Sequence, residues 1–436
     1  MLINLHCIQR RLKRTDQFTF SLYAALVSFG TYSCMYAFRK PFAVALFEGV
    51  QFWGMDYKVW LVIAQTLGYA ASKFYGIRFI AEMQSSRRAP SILVLILSSW
   101  LALLLFAVVP APFNIIFLFL NGFPLGMIWG LVFGYLEGRR STEFMGAVLS
   151  ISFIFSSGFV KSAGKMVIVD WGVAEKWMPF VTGLLFMLPL LIFVALLEQI
   201  PPPTATDEAL RTRREPMNKQ QRRQQLLQFL PGLALCITSY VILTMLRDMR
   251  DNFAADIWQE LGMGREPAIF TQTEVPVSLA VLGIMSMLVF VKDNYRAFML
   301  NYLIVIAGFL LAAASSLLFM QHYISPVVWM TLGGLGLYMG YIPFNCIFFE
   351  RMIATFKYVS NVGFLIYVAD SFGYVGSVSI LLVKNFSNWH ISWQQFFMHA
   401  VWVLSLAGVV MMIGSYWYFK RKYRNMRASS SSFVHS

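Results

Sequence analysis

Charge is scarce in this sequence. Asp, Glu, Lys and Arg make up only 13% of its 436 residues, while 58% are hydrophobic. A soluble domain carries about a quarter charged residues, so a water-soluble globular protein is excluded. Disorder is excluded too, because polar sequence is confined to the ends and one central stretch. Cysteine is nearly lacking, and Cys7, Cys34, Cys236 and Cys346 show no paired spacing. Neither a disulfide framework nor a thiolate metal site is expected. The five histidines are scattered without any His-x-x-x-His, which leaves a metal centre unsupported. No nucleophile–base pair and no ATP-binding motif can be assembled, so the reading is of a protein that is not an enzyme and needs no cofactor. No alternating ten-residue segments of an outer-membrane barrel occur, and no cleavable signal peptide is apparent.

What the sequence has instead is a series of long apolar runs. Twelve are read near 18–47, 57–80, 90–110, 113–137, 143–169, 178–198, 227–250, 272–292, 297–319, 326–350, 359–384 and 394–419. About 20 such residues span a hydrocarbon core as a helix. The expected fold is therefore an all-α polytopic membrane protein. A net charge of +14 suggests nucleic acid until its placement is considered. Of 35 Lys and Arg, twenty-four fall in segments on one side of the membrane, and only Lys58, Lys176, Arg265 and Lys384 in the opposite loops. That is the positive-inside pattern. It predicts both termini in the cytoplasm of an inner or plasma membrane, with the lipid bilayer and not nucleic acid as the partner.

The polar stretch 199–226, with Pro201-Pro202-Pro203 and a cluster of six basic residues, divides the runs six and six. The expected organisation is a six-helix half over 1–198, a basic cytoplasmic linker over 199–226, a second half over 227–419 and a basic cytoplasmic tail over 420–436. The halves repeat. The first and seventh runs each end at an arginine, Arg39 and Arg247, and the Gly-rich fourth and tenth runs end at Glu137-Gly138-Arg139 and Glu350-Arg351. Two similar six-helix halves are the organisation of the major facilitator fold. A monomer is expected.

Seven basic residues lie within or at the ends of the runs, where a charge costs at least ~2.5–3.5 kcal/mol and needs a partner, a cavity or a ligand. Arg39 follows 21 uncharged residues and shares a helical stripe with Tyr32 and Tyr36. Arg247 is its counterpart, with Tyr240 one stripe earlier; its bland alternative is a local pair with Asp251 at i, i+4. Two guanidinium forks suit a phosphate or carboxylate better than lysines would. Lys73 lies too deep to reach either surface and is read as cavity lining. Lys161 is a weaker candidate near the outer end. Asp370, with Tyr367 and Tyr374 on its face, is read as a counter-ion or a proton carrier. Trp129, Tyr338, Tyr341 and Asn345 complete the expected lining.

These residues resemble the organophosphate:phosphate antiporters of the major facilitator superfamily. Arg39-Lys40-Pro41-Phe42 resembles that family's first-helix Arg-Lys-x-Phe, and Gly68-Tyr69-Ala70-Ala71-Ser72-Lys73-Phe74 its second-helix Tyr-Gly-x-Ser-Lys-Phe. Leu246-Arg247 is similar to the seventh-helix Leu-Arg, and Phe372-Gly373-Tyr374-Val375-Gly376 to the eleventh-helix Phe-Gly-Tyr-x-Gly. The resemblance implies that Arg39 and Arg247 bind the substrate phosphate and that Lys73 assists. The chain departs from the family where Phe155 stands at the fifth-helix histidine position and Leu125 near the fourth-helix Gln, which marks a divergent branch.

The expected function is secondary transport of a small organic anion, an organophosphate or phosphonate, by alternating access. Arg39, Arg247 and Lys73 would bind the anion, with Tyr32, Tyr36, Trp129 and Tyr374 shaping the pocket. Exchange would make it an antiporter, and proton uptake by Asp370 a symporter. The alternatives are an anion sensor that does not transport and a carrier of lysolipids or other carboxylates.

Overall fold

The computed structural model describes residues 5–12, 14–81, 83–137, 139, 141–202, 219–356, 362–386 and 391–432. Arg211, Arg213 and Arg214 of the expected linker, and the side chain of Tyr367, lie outside the described residues. The elements in order are α1 (Leu5–Leu12), α2 (Gln17–Tyr36), a two-stranded ribbon (Gln51–Phe52 with Met55–Asp56), α3 (Tyr57–Ala81), α4 (Arg88–Val108), α5 (Ile115–Phe133), α6 (Thr142–Val169) and α7 (Met178–Leu197). There follow α8 (Lys219–Asn252), α9 (Ala254–Glu260), α10 (Ile269–Val289), α11 (Asn294–Met320), α12 (Pro326–Pro343), α13 (Phe349–Phe356), α14 (Val362–Phe386) and α15 (Trp393–Ser432). Each of the twelve apolar runs has a long helix as its main part. Among the described residues, nine segments are long and apolar enough to cross a membrane, and the protein is an integral multi-pass membrane protein.

The first run does not continue as helix to residue 47. Pro41 has no N–H for a carbonyl four residues back and its ring crowds that carbonyl, which favours ending the helix here. Instead α2 ends at Tyr36, Arg39 lies in the following turn, and the chain resumes as a short 3₁₀ helix, Pro41–Val44. Glu175 then accepts the amides of Leu46 and Phe47, both at 2.8 Å. Two other helices outrun their apolar cores: α8 begins at Lys219 and α15 runs on to Ser432. The tenth run is interrupted by a π-helical turn, Phe344–Phe348.

The chain forms two compact units. The first comprises Met1–Arg211, Met249–Leu282 and Val378–Gln395, and the second Thr212–Asp248, Gly283–Ser377 and Phe396–Ser436. Small residues set the closest helix approaches in each. In the first, a Cβ on Gly68 would strike the carbonyl of Phe119, and one on Gly122 the carbonyl of Gln65, so α3 and α5 meet backbone to backbone. In the second, Gly308 and Gly336 serve α11 and α12 in the same way.

Candidate functional site

In the first unit the turn after α2 carries Arg39. A helix end leaves carbonyls without intrahelical partners, and here two polar side chains of the α3–α5 contact take them. Gln65 Nε2 donates to the Arg39 carbonyl at 2.9 Å, and Asn121 Nδ2 to the Phe38 carbonyl at 2.9 Å. Gln65 also donates to Asn121 Oδ1 at 2.8 Å, which locks the pair. The Arg39 guanidinium carbon lies 3.8 Å from the centre of the Tyr69 ring, and Lys73 Nζ 5.3 Å from the same ring. Tyr32 lies within the electrostatic reach of Tyr69 and Arg39, and Tyr36 packs edge-on against Tyr32 at 5.5 Å. Arg39, Lys73, Tyr32 and Tyr36 are thus one cluster, centred on Tyr69. Arg39 reaches it from a turn, not from the helical stripe expected of it. Trp129 stacks on Phe133 at 4.8 Å, and its buried indole N–H has no hydrogen-bond partner among the described residues.

Beside this cluster the first unit holds a charge network that sequence reasoning missed. Asp251 receives Lys40 and Lys161 together, with Ser157 donating to the same carboxylate. Lys40 Nζ also donates to Asn252 Oδ1 at 3.0 Å. All three charged side chains are at least nine-tenths buried. The local Arg247–Asp251 pair considered as an alternative does not form, because Asp251 is committed to these two lysines. Lys161 accordingly sits in an ion network, not in the Arg39 cluster. Adjacent Arg250 pairs with Glu274 of α10, which can approach because Gly158 has no side chain: a Cβ there would lie 2.7 Å from Glu274 Cγ. Lys58 pairs with Asp256. A signal for the network is present in the sequence: Lys40, Asp251 and Glu274 are charges within or at the ends of apolar runs, and each needs a partner. Nothing in the sequence says which.

The second unit holds Arg247. Its guanidinium carbon lies 3.8 Å from the centre of the Tyr341 ring, and its Nε donates to Asp248 Oδ1 at 3.0 Å. Asp248 Oδ2 in turn accepts from Ser377 at 2.7 Å. Tyr341 stacks on Tyr240 at 5.3 Å, and the Tyr240 hydroxyl donates to Asp370. Asn345 sits in the π-helical turn and reaches both tyrosines through its amide. It donates to the Tyr341 carbonyl at 3.1 Å and towards the Tyr240 hydroxyl at 3.4 Å. A Cβ on Gly376 would meet Val241 Cγ1 at 2.6 Å, and one on Gly373 would meet Thr244. These two glycines let α14 lie against α8, which brings Asp370 to Tyr240. Tyr338 is buried within the electrostatic reach of Arg247. Tyr374 is half-buried one turn after Asp370. Arg247, Tyr240, Tyr341, Asn345 and Asp370 therefore form a second cluster.

The fold defined by these helices is the major facilitator fold. The chain is similar in structure to a D-xylose-proton symporter, with a TM-score of 0.59 and 12% identity over 92% of this chain and 97% of that one. A mutant peptide transporter POT in complex with alafosfalin gives 0.64 and 13% identity over 97% and 99%. A mutant of the nucleoside transporter NupG gives 0.57 and 14% over 90% and 99%. No curated protein matches the chain in sequence. Residues 41–422 match the model of a family of unknown function, DUF5690, and the chain belongs to that family.

Proposed function

We propose that the protein is a secondary transporter of a small organic anion, an organophosphate or phosphonate, working by alternating access. The observation that carries this reading is the gathering of Arg39 and Lys73 on one tyrosine ring within a membrane-spanning bundle. Two cations gathered on one ring favour an anionic ligand. Arg247, laid on Tyr341, supplies a second guanidinium of the kind that holds phosphate bidentately. The indole N–H of Trp129 supports the same reading, since a buried donor is costly when it has no acceptor. The named transporters that share the fold support transport over sensing.

Asp370 is the proposed coupling residue. A proton taken up there, on the carboxylate that accepts from Tyr240, would make the protein a symporter; exchange would leave Asp370 without a coupling role. The test is uptake of glycerol-3-phosphate and of methylphosphonate into proteoliposomes, with and without an imposed pH gradient. Transport should be lost in Arg39→Lys and reduced in Arg247→Lys, and Asp370→Asn should lose its dependence on the gradient. Unchanged transport in both arginine variants would refute the assignment.

A further inference from the structure

The last helix is longer than a bilayer needs. From Trp393 to Phe419 α15 carries no Asp, Glu, Lys or Arg, and these 27 residues rise about 40 Å at 1.5 Å each. A hydrocarbon core is about 30 Å thick. The helix then continues through Lys420, Arg421, Lys422, Arg424 and Arg427, and no acidic residue occurs between Asp370 and Ser436.

This extension is pinned. Lys422 Nζ donates to the Gln228 carbonyl at 2.6 Å, and the Tyr423 ring stacks on Tyr295 at 3.9 Å. With Lys422 turned inward, Arg421, Arg424 and Arg427 remain exposed on successive turns. Lys420 Nζ lies 4.9 Å from the ring of Trp417, itself 58% exposed. An exposed tryptophan followed by cations is the arrangement of a membrane–water interface.

We propose that Lys420, Arg421, Arg424 and Arg427 form a binding surface for anionic phospholipid headgroups. Charge complementarity and continuity with the apolar span fix the occupant. Arg427 lies eight residues past Phe419, about 12 Å along the helix. The screening length at physiological salt is about 8 Å, so the cluster extends little further than a headgroup's field reaches. Juxtamembrane clusters of four or more basic residues attract anionic lipid for this reason.

The test reconstitutes the full chain in nanodiscs of mixed phosphatidylglycerol and phosphatidylcholine, and measures the lipid retained by native mass spectrometry. The wild type should retain phosphatidylglycerol preferentially. R421Q/R424Q/R427Q should lower that preference at least about fivefold, the contribution of one juxtamembrane cation, while R421K/R424K/R427K keeps it. R10Q/R11Q/R14Q, which removes equal charge at exposed positions elsewhere, should also keep it. An unchanged preference in the glutamine variant would overturn the proposal, as would equal losses in the lysine or N-terminal variants. Preferential retention of RNA over phosphatidylglycerol would overturn it too.

Discussion

Arg39 and Arg247 use the same device in opposite electrostatic company. Each lays its guanidinium 3.8 Å from the centre of a tyrosine ring. Arg39 shares its ring with a second cation, Lys73, and its turn is fixed by residues distant in sequence, Gln65 and Asn121. Arg247 is paired with its own sequence neighbour, Asp248, and Asp370 lies one stacked ring away. The tyrosine supplies the position in both, worth about 0.5–2 kcal/mol. The two rings differ in what else they meet: Lys73 lies over Tyr69, while Tyr341 stacks on the tyrosine that donates to Asp370.

The largest effect is expected at the anchor beside Arg39. Asp251→Ala leaves the Lys40 and Lys161 ammonium groups buried without their carboxylate, and should destabilise the protein by about 3–5 kcal/mol. Thermal unfolding in detergent measures it, and K40M/D251L/K161M should recover most of the loss. Gly376→Val acts on the other cluster, by forcing α14 from Val241 and Met245; overpacking of this kind costs about 1–3 kcal/mol in the same assay.

Ligand affinity sharpens the contrast. Because Asp248 holds Arg247 and competes with an incoming anion for it, Asp248→Asn should tighten glycerol-3-phosphate binding about tenfold by isothermal titration, a gain of about 1.4 kcal/mol. An unchanged affinity would show that Asp248 does not compete for the guanidinium. The smallest effect is expected at Asp16, which caps α2 by accepting from Thr19 N–H at 3.0 Å. That hydrogen bond holds its carboxyl below the ordinary 3.8. Its stabilisation is present above that value and is lost as pH falls through the depressed one. Asp16→Ala should remove this acid-side dependence from the unfolding profile.

Glycine shows why the site is only partly legible in sequence. Gly373 and Gly376 are visible as a family-like motif, yet their role is to admit Thr244 and Val241 of another helix. Gln65 and Asn121 are similarly silent, because a polar residue in an apolar run does not name the carbonyl it will satisfy. Arg39 stands out but is misplaced on a helical stripe, since the apolar run that continues past Tyr36 conceals the break before Pro41.

The helices, their membrane setting and the cations that need an explanation are legible in the sequence. Those follow from local quantities, since a run of about 20 apolar residues and a charge inside it have the same cost wherever the chain goes next. The partners emerge only on folding: Lys40 and Lys161 on Asp251, Arg250 on Glu274, Tyr240 on Asp370. Pairing depends on which helices cross and how closely, and that is set by small residues at crossings far apart in sequence. A charge declares its need for a partner locally; close packing chooses the partner.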